Sequence, residues 1–287
     1  MKKTIFTAQM AFVLLATPAF AGNDKNFTYL ALGDSIPFGM NILLVLSPPT
    51  PTPSEFVGYP ETVAAAEHLL ISKKLANASC PGESSGSFLD VNTIQRDYGC
   101  NFPHPLPGGG SIPPFKQLVG LKVDYTGAQM DYAVAELASN KHIDMVTLSI
   151  GANDVFVCLS DPTCSLQSVL DPVNGTYKNN LTTILTNIRK YYTGKLVLLK
   201  YYSPDPSLDT LAMAVNAVMT QVGSAFDVRF ADGFTAFKTA SAMFGGDACQ
   251  AGLLIRLPPG FPTPCDIHPS PAGRDLLAAI VEIALQQ

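Results

Sequence analysis

Short apolar runs alternate along the chain with longer segments whose apolar residues recur at helical spacing. The short runs have the composition of buried strands and cover residues 29–32, 143–150, 195–201 and 226–231. The longer segments predict helices packed on a sheet and cover residues 128–140, 177–192, 207–223 and 269–285. This alternation predicts an α/β fold with a mainly parallel sheet. Right-handed crossovers then bring the loops that follow the strands to one edge of that sheet.

Two stretches rich in proline or glycine interrupt this alternation. Residues 47–53 contain four prolines, and residues 101–114 combine proline with glycine. Either stretch could be a domain linker, but each is short and the alternation resumes after it. We therefore expect loop insertions near the functional edge of the sheet. The apolar residues 43–46 precede the proline run, and they form either a lip over a pocket or part of the core.

The first residues have the pattern of an export signal. Lys2 and Lys3 precede an apolar run over residues 10–15 and the small-x-small triplet of residues 19–21. We predict a signal peptide over residues 1–21 and one mature domain over residues 22–287. The apolar run is too short to span a bilayer, so we expect a secreted or periplasmic protein without stable membrane insertion.

The charge of the chain restricts its partners. The full sequence of 287 residues has a formal net charge of −5, and loss of Lys2 and Lys3 changes the net charge to −7. Binding to phosphates requires a basic face, so this acidic balance excludes nucleic acid as an expected partner.

The chain contains six cysteines, which in an exported protein predict three disulfides. Six cysteines allow fifteen connectivities, and sequence alone does not choose among them. We favour nearest neighbours: Cys80 with Cys100, Cys158 with Cys164, and Cys249 with Cys265. Each bridge closes a short loop and stabilises the fold by about 2 to 3 kcal/mol in the chain-entropy model. A zinc site is disfavoured because there is no Cys-x-x-Cys pair and the four histidines are scattered.

A candidate nucleophile follows the first predicted strand. Ser35 comes directly after Gly33 and Asp34, and a serine on such a turn exposes its hydroxyl at the carboxyl edge of the sheet. Near the end of the chain, Asp266 and His268 supply a carboxylate and an imidazole. A serine needs a base, and the imidazole needs a partner on its other nitrogen. We expect His268 as the base, held by Asp266 or by a backbone carbonyl.

Two further residues have the chemistry of oxyanion donors. Asn153 follows the predicted strand of residues 143–150, so its side-chain amide lies at the same edge as Ser35. Gly82 has no Cβ, so its backbone N–H can approach a ligand closely. Together with the Ser35 N–H, these groups predict an oxyanion hole, in which loss of one donor lowers the rate by roughly 10²- to 10³-fold.

Four neighbouring residues have expected structural roles. We expect Asp34 to bond its loop or to cap the following helix, and Asp154 to do the same for its own loop. Tyr201 and Tyr202 end a predicted strand at the functional edge. One of these tyrosines is expected to line the pocket and the other to pack in the core.

Four motifs stand in an order that matches a known superfamily. They are Gly33-Asp34-Ser35, Gly82, Gly151-Ala152-Asn153-Asp154 and Asp266-Ile267-His268-Pro269. In these motifs and their order the chain resembles the SGNH (GDSL) hydrolase superfamily over nearly the whole mature sequence. It is most similar to the secreted bacterial esterase and lipase branch, on the strength of Gly58-Tyr59-Pro60 and Cys80-Pro81-Gly82-Glu83.

The resemblance implies a fold, a reaction and a set of site residues. The implied fold is a flavodoxin-like three-layer α/β/α sandwich. The implied enzyme is a secreted serine ester hydrolase that forms an acyl-serine intermediate and uses no metal or organic cofactor. Ser35 is then the nucleophile, His268 the base and Asp266 its orienting acid. The oxyanion donors are Ser35, Gly82 and Asn153.

The substrate class stays open at this level. We expect a small-molecule or lipid ester, because the loops around Ser35 are apolar and rich in proline, and we expect a monomer. A carbohydrate acetyl esterase or a thioesterase is the alternative within enzymes. A catalytically silent lipid- or glycan-binding protein on the same fold is a further alternative, and it is disfavoured because every chemical role has an occupant.

Overall fold

A parallel sheet lies at the centre of the computed structural model, which describes residues 28–49, 51–69, 74–92, 97–105 and 110–287. The strands in these ranges are β1 (Tyr29–Gly33), β2 (Leu75–Asn77), β3 (His104–Pro105), β4 (Ser111–Ile112), β5 (Met145–Ser149), β6 (Lys195–Lys200), β7 (Arg229–Asp232), β8 (Leu254–Arg256) and β9 (Cys265–Pro269). The sheet has the order β2-β1-β5-β6-β7, and all of its neighbouring strands are parallel. Two antiparallel pairs, β3 with β4 and β8 with β9, lie outside it. The predicted α/β fold with a mainly parallel sheet is confirmed.

The strand predictions identify four of the five strands of the sheet. The four predicted apolar runs correspond to β1, β5, β6 and β7. All five residues of β1 and of β5 are buried, as expected for parallel strands covered on both faces. Strand β2 was not predicted, because its three residues are too few to show a periodicity.

Helices cover the sheet. They are α1 (Ser35–Phe38), α2 (Ile42–Val45), α3 (Tyr59–Ala66), α4 (Ser85–Leu89), α5 (Phe115–Leu118), α6 (Gln129–Ser139), α7 (Ala152–Ser160), α8 (Leu166–Leu170), α9 (Thr176–Tyr191), α10 (Asp209–Gly223), α11 (Gly233–Ala240) and α12 (Pro271–Gln286). Helices α3, α11 and α12 pack together as one layer, and α6, α9 and α10 pack together as another. Helix α9 illustrates the reason for this packing, because it buries an apolar face of Leu181, Ile184, Leu185 and Ile188 at helical spacing. None of the described helices combines the length and apolar character that crossing a membrane requires.

The last helix begins later than the sequence pattern indicated. The pattern placed the helix over residues 269–285, but Pro269 ends β9 and the helix begins at Pro271. Ser270 is the N-cap, and its hydroxyl accepts a hydrogen bond from the Gly273 N–H at 3.3 Å. His268 therefore lies on a strand of the β8–β9 pair, outside the parallel sheet.

The two predicted loop insertions lie beside the functional edge. Helix α2 carries the apolar residues 43–45, and Leu46 is its C-cap. Leu44 and Val45 pack against a small cluster of Phe38, Met40, Phe56, Phe115 and Val119. The stretch of residues 101–114, expected to be irregular, contains the short β3–β4 pair instead. Residues 106–109 of this stretch, Thr50 of the proline run and the predicted signal peptide lie outside the described residues.

Candidate active site

The turn that carries Ser35 depends on close backbone packing. Gly33 ends β1 with φ of 130°, and a Cβ at this position would lie 2.0 Å from the Ser149 carbonyl oxygen. The Asp34 N–H donates to that same carbonyl at 3.1 Å. The Asp34 carboxylate then accepts from the Ile36 N–H at 3.0 Å and caps α1, as the sequence predicted. Ser35 is thereby placed at the first position of the helix.

A hydrogen-bonded row connects Ser35, His268 and Asp266. The Ser35 Oγ and the His268 Nε2 are 2.9 Å apart, and the His268 Nδ1 lies 2.9 Å from the Asp266 Oδ2. With Nδ1–H donated to the carboxylate, the Nε2 lone pair faces the serine hydroxyl. Burial raises the pKa of Asp266, but the charge and hydrogen bond of His268 outweigh it and hold this pKa below its usual value. The Ile267 N–H contributes to the same effect at 2.7 Å.

The loops of Gly82 and Asn153 meet beside Ser35. Gly82 has φ of 80°, and a Cβ there would lie 2.5 Å from the Tyr98 carbonyl oxygen, so this position requires glycine. The Asn153 Nδ2 donates to the Glu83 carbonyl at 2.9 Å, which joins α7 to the Gly82 loop. Ser35, Gly82 and Asn153 line one cavity. The backbone N–H groups of Ser35 and Gly82 have no acceptor among the described residues.

Glu83 and Gln129 form a buried link behind this site that the sequence analysis missed. Gln129 accepts from the Gly33 N–H at 2.6 Å and donates to the Gly33 carbonyl at 2.9 Å and to the Glu83 carboxylate at 3.2 Å. Both side chains are fully buried. Desolvation by burial raises the pKa of Glu83 to about 7. Neither residue stands in a motif that indicates its partner, so no local signal in the sequence could have revealed the link.

Asp154 binds a different loop from the one expected. Its Oδ2 accepts from the Ser85 N–H at 2.8 Å and its Oδ1 accepts from the Ser85 hydroxyl, so it connects α7 to α4 instead of capping its own loop. The prediction failed because Ser85 is far away in the sequence. Burial raises the pKa of Asp154 to about 6, and the hydrogen bonds from Ser85 oppose this shift.

The two tyrosines after β6 each hold a different part of the site. The Tyr201 hydroxyl donates to the Asp34 carboxylate at 2.5 Å, and burial raises the pKa of Asp34 to about 6. The Tyr202 hydroxyl donates to the Ile267 carbonyl at 2.6 Å, beside His268. Both tyrosines line the cavity, although only one was expected to do so.

A family model matches most of this chain. The GDSL-like Lipase/Acylhydrolase family matches residues 31–276, a range that contains all the residues of the site. The chain belongs to this family. It is therefore a carboxylic ester hydrolase, as the four motifs implied.

Solved structures of GDSL lipases and esterases share the fold of this family member. A GDSL-like lipase from Parabacteroides merdae is 17% identical with a TM-score of 0.55, and the alignment covers 91% of this chain and 96% of that one. The acetylxylan esterase Axe2 of Geobacillus stearothermophilus is 16% identical with a TM-score of 0.50, over 92% and 97% of the two chains. At these identities the likeness shows the fold alone. A search of curated proteins found no match.

Three disulfides lie beside the loops of this GDSL-family site. They join Cys80 to Cys100, Cys158 to Cys164 and Cys249 to Cys265, the three pairs that the sequence analysis favoured. Cys80 precedes Gly82 by two residues, Cys158 lies on α7, and Cys265 precedes Asp266. Among the described residues, the one cluster with metal-ligand spacing is Cys80, Glu83 and Cys100. Its two sulfurs are bonded to each other, so they are not available as thiolate ligands.

The stability of this GDSL-family protein should fall as the pH rises from 5 to 8. Asp34, Asp154 and Glu83 have raised native pKa values of about 6, 6 and 7, because burial disfavours their ionised forms. When the native pKa of a carboxyl lies above its unfolded pKa, the unfolding free energy has its full value at pH below the unfolded pKa. It falls as the pH rises through the native pKa. For Glu83 the loss is about 2 to 3 kcal/mol over this interval.

Urea unfolding at several pH values tests this dependence in the wild type and in Glu83→Gln. As the pH rises from 5 to 8, the unfolding free energy of Glu83→Gln should fall by less than that of the wild type. The difference between the two falls is the contribution of Glu83. Replacement of the exposed Glu67 by glutamine controls for loss of a surface carboxyl. An identical pH dependence in wild type and Glu83→Gln would contradict the raised pKa of Glu83.

Proposed function

We propose that this chain is an exported serine esterase that hydrolyses uncharged esters with apolar acyl chains through an acyl-Ser35 intermediate. Residues 1–21 serve as its signal peptide and residues 22–287 as its catalytic domain. Three disulfides support an oxidising compartment, secreted or periplasmic. A monomer is sufficient for this reaction, because one chain supplies the nucleophile, the base and the oxyanion donors.

In the proposed mechanism Ser35 and His268 share the proton transfers. The Ser35 oxygen attacks the ester carbonyl carbon while its proton passes to the His268 Nε2. The carbonyl oxygen becomes negative and is bound by the N–H groups of Ser35 and Gly82 and by the Asn153 amide. Collapse of this intermediate expels the alcohol, which takes the proton from His268. Water activated by His268 then releases the acid and restores Ser35.

The composition of the cavity wall is the main evidence for the proposed substrate class. The cavity has a volume of about 500 Å³, and its wall is built mainly from apolar side chains, among them Met40, Ile42, Val45, Leu46, Phe115, Phe156, Leu159, Leu208, Leu211 and Val215. No lysine or arginine is among the described residues that line it. A phosphate or a CoA moiety would require cationic partners, whereas an aliphatic acyl chain is stabilised by burial against such a wall.

The rim of the cavity favours a lipid ester over an acetylated sugar. Leu46, Leu159 and Ile267 line the cavity and are also exposed to solvent. Exposed apolar side chains around a pocket suit a substrate whose apolar part extends beyond it. A sugar would instead require several hydrogen-bonding side chains at these positions.

A substrate panel tests this class directly. Nitrophenyl esters from acetyl to dodecanoyl should be hydrolysed with kcat/KM rising from the acetyl ester to the longer chains. Glycerides should be hydrolysed, and acyl-CoA and acetylated xylooligosaccharides should react far more slowly. Activity confined to acetylated sugars would overturn the lipid assignment and support the carbohydrate esterase alternative.

Filling the cavity should shorten the preferred acyl chain. Ala212 on α10 lines the cavity, and Ala212→Trp places an indole in the space for the chain. We expect kcat/KM for the dodecanoyl ester to fall by about 10-fold or more, with little change for the acetyl ester, because only the long chain meets the new ring. Met213→Trp is the matched control, since Met213 is the next residue and is exposed outside the cavity wall. Equal losses of kcat/KM on both esters would show that the acyl chain of the substrate binds outside this part of the cavity.

A further inference from the structure

The carboxylate of Glu83 is buried behind the cavity, among polar side chains. It accepts from the Gln129 Nε2 at 3.2 Å, from the Ser87 hydroxyl at 2.5 Å and from the Asn101 Nδ2 at 3.4 Å. Glu83 does not belong to the cavity wall. Its side chain therefore acts on the site through its neighbours, without touching a bound ester.

Glu83 is connected to all three proposed oxyanion donors, directly to two of them and through Gln129 to the third. Its backbone carbonyl holds the Asn153 amide at 2.9 Å. Gly82, the second donor, is the preceding residue. The third donor is the Ser35 N–H, and Gln129 links Glu83 to Gly33, two residues before Ser35, through bonds of 2.6 and 2.9 Å on both sides of that glycine. Glu83 is thus the point where the three loops are joined.

We propose that Glu83 and Gln129 are positioning residues that hold the three oxyanion donors around one centre. An oxyanion hole lowers the barrier because its donors are already oriented where charge develops. A shift in their relative position therefore weakens binding of the transition state more than binding of the ester substrate. The inference rests on the proposed function, since the donors have a role only if Ser35 attacks an ester.

The burial of Glu83 agrees with such a role. An isolated ionised carboxylate is strongly disfavoured in an apolar interior, and desolvation raises the pKa of Glu83 to about 7. A leucine would fill similar space without this penalty, but it could not accept the three hydrogen bonds. The polar cluster is therefore suited to fixing the geometry of the loops more than to adding stability.

Two substitutions of nearly constant volume test the proposal. Glu83→Gln replaces one of the two acceptor oxygens by an NH₂ donor, and Gln129→Met removes both hydrogen-bonding atoms. Each should lower kcat for a nitrophenyl octanoate by about 10- to 100-fold and change KM by less than about threefold, because the interaction is made in the transition state. Affinity for an octyl trifluoromethyl ketone, which forms a tetrahedral oxyanion on the serine, should fall by the same factor as kcat/KM.

Ground-state binding and stability separate positioning from a general loss of structure. Affinity for the matching alkyl methyl ketone, measured by competition, should change little in either variant. Tyr29→Phe is the control, because it removes a buried hydrogen bond to Thr147 at the opposite end of β1. It should lower the midpoint of thermal unfolding without changing the ratio of the two ketone affinities.

The outcomes distinguish this inference from the proposed function. If both variants keep the affinity of the wild type for the trifluoromethyl ketone, the positioning role is wrong, whatever happens to the activity of Ser35→Ala. If Ser35→Ala retains full activity, the proposed function itself fails. Should Gln129→Met not fold, the kinetic and inhibitor results for Glu83→Gln alone decide the matter.

Discussion

Replacement of Ser35 by alanine is expected to reduce kcat for a short nitrophenyl ester by about 10⁴- to 10⁶-fold. The variant keeps the cavity, His268 and the oxyanion donors, but it has no atom that can form the acyl-enzyme. The residual rate then comes from water held near His268 and from stabilisation of the oxyanion. A fluorophosphonate should label Ser35 in the wild type and should leave the variant unmodified, as measured by intact-mass spectrometry.

An exposed serine provides the control for Ser35→Ala. Ser160 ends α7 beside Leu159 at the rim of the cavity and is exposed, so Ser160→Ala should retain the wild-type rate. Circular dichroism should show that both variants melt cooperatively. Equal rates in Ser35→Ala and the wild type, with labelling at another residue, would refute the assignment of the nucleophile.

The second large effect is expected for Asp266→Asn, with a fall in kcat of about 10⁴-fold by analogy with the same change in a serine protease triad. The Asp266 Oδ2 lies 2.9 Å from the His268 Nδ1. An asparagine amide can donate to Nδ1 and so favour the tautomer whose Nε2 carries the hydrogen. That Nε2 no longer accepts the proton of Ser35. The loss of the carboxylate also removes a charge that stabilises the imidazolium formed during acylation.

Initial rates from pH 6 to 9 measure this effect. Asp275→Asn is the matched control, because Asp275 lies on α12 with an exposed carboxylate that pairs with Arg274. This control should stay within about twofold of the wild type. A similarly small change in Asp266→Asn would show that the imidazole is held by another group, such as a backbone carbonyl.

The pattern of the sequence predicted four of the five strands of the parallel sheet. Buried parallel strands are apolar on both faces, so the central strands β1, β5 and β6 appear as continuous runs. The run over residues 226–231 leads into β7, which lies at an edge and is only partly buried. Strand β2 at the edge and the hairpin strand β9 were missed. Each depends on its partner strand for hydrogen bonds, and neither contains an apolar run of its own.

The residues of the candidate site also fall into two groups, those that the sequence could predict and those that it could not. Ser35, Gly82, Asn153 and His268 stand in short motifs, so the sequence could nominate them. Gln129 and the carboxylate of Glu83 carry no motif for their contacts, and those contacts span 96 residues to Gly33 and 46 residues to each other. The partner of Asp154 was predicted wrongly for the same reason, since Ser85 is 69 residues away.

By itself the sequence determined the alternation of strands and helices, the order of the four motifs and the even number of cysteines. These properties are local or depend on chain order, so they can be read without coordinates. Only the tertiary structure decided the distances within the row of Ser35, His268 and Asp266, the link from Gly33 through Gln129 to Glu83, and the apolar wall of the cavity. Each of these joins residues far apart in the chain, and their approach is set by how helices and loops pack on the sheet.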